Sequence, residues 1–123
     1  MSKLYVLNGL NIDRSFHLQE GPHTIGRSYE NDVILPDKTV SRQHLRIEKK
    51  GNRYFVTDLE SKNGTLVGGK YLSPGTEMEV KEGVPIAIGL TVIAIGEAAI
   101  NITKPFLKSV GLTEETGEES GIF

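Results

Sequence analysis

The sequence predicts an all-β fold of the sandwich type. Short runs of β-type residues alternate with turn signals at roughly eight- to twelve-residue spacing, the habit of an all-β sandwich or barrel. No segment of the body carries a long apolar stripe at helical spacing. The length of 123 residues suits one domain and is short for two.

The strand-like runs, in order, are Lys3–Leu7, Phe16–Glu20, His23–Ile25, Val33–Leu35, His44–Lys49, Arg53–Thr57, Thr65–Val67, Thr76–Val80, Pro85–Ile88 and Thr91–Ile95. Leu45 and Ile47, then Tyr54 and Val56, keep the period of two that turns alternate side chains to one face. Lys50-Gly51-Asn52 between them reads as a hairpin turn. Pro74-Gly75 and Glu82-Gly83 mark further turns. The tandem Ile86-Ala87-Ile88-Gly89 and Ile93-Ala94-Ile95-Gly96 is too short for a repeat architecture and reads as two paired strands.

After Gly96 the character changes. Lys104-Pro105 breaks the pattern, and from Gly111 onward the chain is mostly Gly, Glu, Thr and Ser. Such a segment buries too little apolar surface to fold alone. The expected organisation is a domain over residues 1–104 and a flexible acidic tail or linker over 105–123.

Composition narrows the function classes. There is no cysteine, which removes disulfide frameworks and thiolate metal sites and fits a reducing compartment. Met1-Ser2-Lys3-Leu4 lacks the pattern of a signal peptide. The longest apolar stretch, Val84 to Ile100, contains Pro85, Gly89, Gly96 and Glu97 and is shorter than the roughly 20 residues of a membrane span. A cytoplasmic, intracellular protein is the expectation. The net charge of −2 argues against a nucleic-acid binder held by bulk electrostatics. Residues 97–123 carry five Glu and two Lys, so an acidic segment follows a nearly neutral body.

The informative residues lie between the strands, in three stretches: Thr24-Ile25-Gly26-Arg27-Ser28, Val40-Ser41-Arg42-Gln43-His44, and Asp58-Leu59-Glu60-Ser61-Lys62-Asn63-Gly64-Thr65. Singly, each is an ordinary turn or a solvated charge. Together, in this order, they resemble the forkhead-associated (FHA) domain family: a Gly-Arg closing one strand, a Ser-x-x-His entering another, then an Asn-Gly-Thr. Asn31-Asp32-Val33-Ile34-Leu35 also matches, and the likeness runs from about Tyr5 to Ile95.

The resemblance implies an FHA-type sandwich of about eleven strands, with loops at one end that hold a phosphothreonine peptide. It implies a signalling module for protein–protein interaction, not an enzyme, and no cofactor. By motif, Arg27 and Ser41 take the place of the main phosphate ligands. Arg42 occupies a position that meets either the phosphate or the peptide backbone. Lys62 stands where Thr or Ser is common, and Asn63 where the family bonds the peptide main chain. Gly26, His44 and Gly64 take structural positions. Thr39 falls where the family often reads the third residue after the phosphothreonine. A degenerate scaffold that pairs without phosphate is the alternative reading.

Physical chemistry supports the assignment. A phosphoryl group brings about −1.5 to −2 charges and three acceptor oxygens. Arg27 can offer a planar bidentate fork and Ser41 a hydroxyl donor from another side. A buried imidazole at His44 can fix a loop by bonding its backbone.

Rival chemistries fit less well. Ser41, His44 and Asp58 supply the residue types of a catalytic triad. A strand over 41–44 would send Ser41 and His44 to opposite faces, and no Gly-x-Ser-x-Gly elbow exists. Gly64-Thr65-Leu66-Val67-Gly68-Gly69-Lys70-Tyr71 approaches a phosphate-binding loop, but ends in Tyr and leads into a turn and a strand rather than a helix. His17, His23 and His44 show no metal-ligand spacing. A last expectation concerns Thr113 and Thr116 in the tail. Phosphorylated, either could occupy its own domain's site, since the chain from Gly96 to Thr116 extends to roughly 66–72 Å.

Overall fold

The structure, a computed structural model, describes residues 2–96. The expected tail over 105–123, with Thr113 and Thr116, and the boundary at residue 104 lie outside the described residues. Eleven strands form: β1 (Lys3–Val6), β2 (Ser15–His17), β3 (Gly21–Gly26), β4 (Val33–Ile34), β5 (Leu45–Lys50), β6 (Arg53–Asp58), β7 (Thr65–Val67), β8 (Lys70–Tyr71), β9 (Met78–Val80), β10 (Ile86–Ile88) and β11 (Thr91–Ile95). A single 3-10 turn, Gly9–Asn11, interrupts the path from β1 to β2.

Two sheets result. One runs β2-β1-β11-β10-β7-β8 and the other β4-β3-β5-β6-β9. Pairing is antiparallel except between β3 and β4, which run parallel. Alternation builds the core. Leu45 and Ile47 on β5 face inward beside Val56 and Tyr54 of β6, with Ile47 directly opposite Val56. Ile86, Ile88, Ile93 and Ile95 of the other sheet complete the interior with no exposed surface. The apolar inner faces of the two sheets thus pack against each other as a sandwich.

All ten sequence-derived runs become strands, with shifted ends. The second forms over Ser15–His17, earlier than expected, where it pairs with Lys3, Leu4 and Tyr5 of β1. His44 precedes β5 rather than opening it. The additional strand is β8. Gly68 and Gly69 have φ of 59° and 89°, the left-handed pair of a type I′ turn, and they fold Lys70–Tyr71 back onto Leu66–Val67. The same glycines produced the phosphate-loop likeness, and a hairpin, not a helix, follows them.

Register gathers the loops at one end. Ile25 pairs with Leu45, and Leu45 with Asp58, so the end of β3, the start of β5 and the end of β6 lie side by side. In the other sheet Thr65 pairs with Ile88, and Ile88 with Thr91. The start of β7 and the β10–β11 turn therefore sit at the same end.

Candidate functional site

Backbone bonds join the first two motifs. Arg27 N–H donates to the Ser41 carbonyl at 3.0 Å, and Ser28 N–H to the Arg42 carbonyl at 3.2 Å. Gly26 makes this approach possible. A Cβ there would drive into the Arg42 carbonyl oxygen, so any larger residue must part the loops. Asn31, buried, donates through Nδ2 to the carbonyls of Ser28 at 2.8 Å and Arg42 at 2.7 Å. Its Oδ1 has no hydrogen-bond partner among the described residues.

Arg27 is exposed but held. Its Nε donates to the Val40 carbonyl at 3.0 Å, and its terminal nitrogens have no partner among the described residues. One edge of the guanidinium is thus anchored while the rest faces solvent. The guanidinium of Arg42 and the ammonium of Lys62, both exposed, likewise form no ion pair among the described residues. On the outer face of the second sheet the pattern is the reverse. Arg46 lies 3.6 Å from Glu48 and 3.7 Å from Glu77, and Arg53 lies 2.9 Å from Glu79.

The third motif reaches the second through polar contacts. Lys62 N–H donates to Ser41 Oγ at 2.9 Å, so the hydroxyl is oriented as an acceptor and its own hydrogen remains available. Asn63 Nδ2 donates to the Thr39 carbonyl at 2.8 Å, and its amide oxygen has no partner among the described residues. His44 has no exposed surface. Its Nδ1 accepts the Ser41 N–H at 3.0 Å, and its Nε2 bonds the Gly64 carbonyl at 2.8 Å. An Nδ1 acceptor and an Nε2 donor define the tautomer. Gly64 takes a φ of 81°, which turns that carbonyl toward the ring.

Asp58 organises the third loop from within the core. Its Oδ2 accepts the Ser61 N–H at 3.0 Å, and its Oδ1 accepts the hydroxyls of Ser61 at 2.6 Å and Thr65 at 2.7 Å. Burial alone would raise its pKa. The Ser61 and Thr65 hydrogen bonds outweigh that and hold the carboxyl below its ordinary value. Asp37 plays the same part in the second loop. Burial again opposes, but bonds from Thr39 and Thr91 keep its pKa low.

The structure therefore brings Arg27, Ser41, Arg42, Lys62 and Asn63 to one rim, with Gly26, His44 and Gly64 beneath it. It also revises one sequence argument. Residues 41–44 are not a strand, and Ser41 and His44 are adjacent. The nearest Asp58 oxygen is 4.0 Å from His44 Nε2. Yet both ring nitrogens are engaged with backbone, and the Ser41 hydroxyl bonds Lys62 rather than the imidazole. The ring positions loops and has no free nitrogen to act as a base. Among the described residues no cluster of His, Cys, Asp and Glu could hold a metal, and no helix is long and apolar enough to cross a membrane.

Sequence reasoning missed the β10–β11 turn as part of this rim. Leu90 N–H donates to Thr39 Oγ1 at 2.8 Å, and a Cβ on Gly89 would strike Thr39. The signal was present as a Gly-Leu between two β-type runs. Thr39, Asn63, Leu66, Tyr71, Ala87 and Leu90 line a cavity of about 330 Å³ beside Asn63.

Fold and site together define a β-sandwich that presents unpaired cations and hydrogen-bond donors on converging loops, a binding module rather than a catalyst. The FHA domain family profile matches residues 23–89, and the chain belongs to that family. Among curated proteins it is 33% identical over 92 residues to the FHA domain-containing protein FhaB of Mycobacterium tuberculosis, covering 75% of this chain and 58% of FhaB. The chain thus spans less than two thirds of that relative. Among solved structures, the FHA domain of the CT664 protein from Chlamydia trachomatis superposes with a TM-score of 0.70 at 31% identity, covering 78% of this chain and 96% of that one. A domain solved in a study of phosphothreonine-dependent FHA domain interactions superposes with a TM-score of 0.69 at 32% identity, covering 78% of this chain and 95% of that one. FHA domains are non-catalytic protein–protein interaction modules of the phosphopeptide-binding class.

Proposed function

We propose that the loop end binds a phosphothreonine-containing segment of another protein, and that Arg27 and Ser41 grip the phosphate. The observation that carries this reading is their junction. A 3.0 Å main-chain bond joins the two residues, the terminal guanidinium nitrogens have no partner among the described residues, and the hydroxyl retains a hydrogen to donate. Two donors of different geometry, held by backbone, suit a tetrahedral dianion with several acceptor oxygens. Arg42 and Lys62 add positive charge from the two sides. The free amide oxygen of Asn63 can accept a peptide N–H while its nitrogen stays on Thr39. Similarity to a domain studied for phosphothreonine-dependent interactions supports the choice of ligand.

Each hydrogen bond to a charged group contributes roughly 1.5–3 kcal/mol net. Several of them separate phosphorylated from plain peptide even where total affinity is about micromolar. Calorimetric titration with matched peptides carrying phosphothreonine, phosphoserine or unmodified threonine tests the reading. Binding is expected for phosphothreonine, weakened for phosphoserine and absent for threonine. Equal binding of the unmodified peptide would instead identify a scaffold that pairs without phosphate.

A further inference from the structure

Among the described residues Tyr29 is the most exposed large hydrophobic side chain, with 90% of its surface open. Its ring makes no cation–π contact there. Its backbone, by contrast, is fixed. Ser28 to Asn31 form a β-turn closed by the Asn31 N–H to the Ser28 carbonyl at 3.2 Å, with Tyr29 and Glu30 at the central positions. Ser28 Oγ accepts the Glu30 N–H at 3.2 Å. Ser28 N–H and Asn31 Nδ2 both donate to the Arg42 carbonyl, at 3.2 Å and 2.7 Å, and so bolt the turn to the second loop. An aromatic ring on so constrained a turn loses little conformational freedom when a ligand covers it. Tyrosine serves recognition surfaces for that reason.

The turn's place on the rim fixes what it meets. The sheet order β4-β3-β5-β6 sets the β3–β4 loop on one side of Ser41 and the β6–β7 loop, with Asn63, on the other. A peptide whose main chain bonds Asn63, and whose phosphate lies between Arg27 and Ser41, therefore runs on toward Tyr29. Tyr29 follows Arg27 by two positions, an interval that about one to three extended residues of roughly 3.3 Å each would bridge. The turn and its C-terminal neighbour carry two charged side chains, Glu30 and Asp32. Asp32 is taken by the Thr24 N–H at 2.8 Å and the Thr24 hydroxyl at 3.3 Å. Glu30 is exposed and forms no ion pair among the described residues. A phenol face beside an unpaired carboxylate suits a cation, and a planar guanidinium above all. An apolar flank would cover the ring but leave the carboxylate unpaired, and an acidic one would meet Glu30 as a like charge. On the reading that this rim binds a phosphothreonine peptide, we infer that Tyr29 and Glu30 select an arginine within about three residues of the phosphothreonine, on the flank that leads away from Asn63. Arg27 and Arg42 do not oppose it, because the phosphate dianion balances their charge.

Calorimetric titration of the full chain tests this with two kinds of phosphothreonine peptide. One has alanine on both flanks. The other carries a single arginine, moved in turn through the three positions on either side. The quantity read is the ratio of arginine-peptide to alanine-peptide affinity. Arginine on one flank alone should raise affinity about 3- to 10-fold. That ratio should fall close to one in Tyr29→Ala, fall partway in Glu30→Gln and persist in Tyr29→Phe, which keeps the aromatic face. No arginine preference on either flank overturns the inference, as does a preference that survives in Tyr29→Ala. Either result leaves phosphate-dependent binding in place. Equal binding of the alanine-flanked peptide with and without its phosphate overturns the phosphothreonine reading, and this inference with it.

Discussion

His44 Nδ1 accepts the backbone N–H of Ser41 at 3.0 Å, so a fully buried ring holds the residue proposed to meet the phosphate. The other ring nitrogen bonds the Gly64 carbonyl, and the second and third loops share one support. His44→Ala should lower unfolding free energy by about 2–4 kcal/mol, because it opens a cavity and orphans two backbone groups. Urea denaturation checks this. Phosphopeptide affinity should also fall in the protein that remains folded, since Ser41 loses its anchor.

Arg27 should behave differently. It is exposed, and among the described residues only its Nε is bonded, so Arg27→Ala should move the denaturation midpoint little. Phosphothreonine peptide affinity should fall about 30-fold or more, because a charged ligand group is left unpaired. Arg27→Lys should recover only part, since an ammonium lacks the planar fork. Calorimetry on the three proteins gives the comparison. Retained affinity in Arg27→Ala would move the phosphate elsewhere on the rim.

Gly26→Ala should be among the most damaging small substitutions in the chain. The added methyl points at the Arg42 carbonyl, a backbone atom that cannot rotate away. A loss of about 3 kcal/mol or more is expected, in the upper range of single substitutions. Thermal unfolding measures it. Gly51→Ala provides the contrast. Its Cβ meets nothing within 4 Å, and only the left-handed φ of 62° opposes it, so about 1 kcal/mol is expected.

Acid should weaken the domain through Asp58. Burial raises its pKa, but hydrogen bonds from Ser61 and Thr65 more than offset this, so the folded value lies below the unfolded one. A depressed carboxylate contributes stability above the unfolded pKa of about 3.9 and loses it as pH falls through the folded value. Stability from this source should be flat near neutrality and decline below about pH 4. Asp58→Asn should be less stable at neutral pH and show a shallower acid limb in denaturant titrations from pH 7 to 2.

Much of the fold was legible because strand formation is local. The period of two in Leu45, Ile47, Tyr54 and Val56 marks an inner face without reference to anything distant. The strand β8 was not read, although Gly68-Gly69 carries a hairpin signal, because two residues are too few to show alternation. The rim residues were legible through their resemblance to a family, and each motif alone resembles an ordinary turn.

The sequence by itself determined the two-faced strands, the turns between them and the residue types at the rim, because these follow from spacing and from side-chain chemistry. Only the tertiary structure decided which donors remain free. Ser41 and Lys62 are 21 positions apart, and their bond forms only where the pairing of β5 with β6 brings the two loops together. Whether a hydroxyl donates or accepts, and whether an arginine is anchored or loose, depends on partners that chain order does not place nearby.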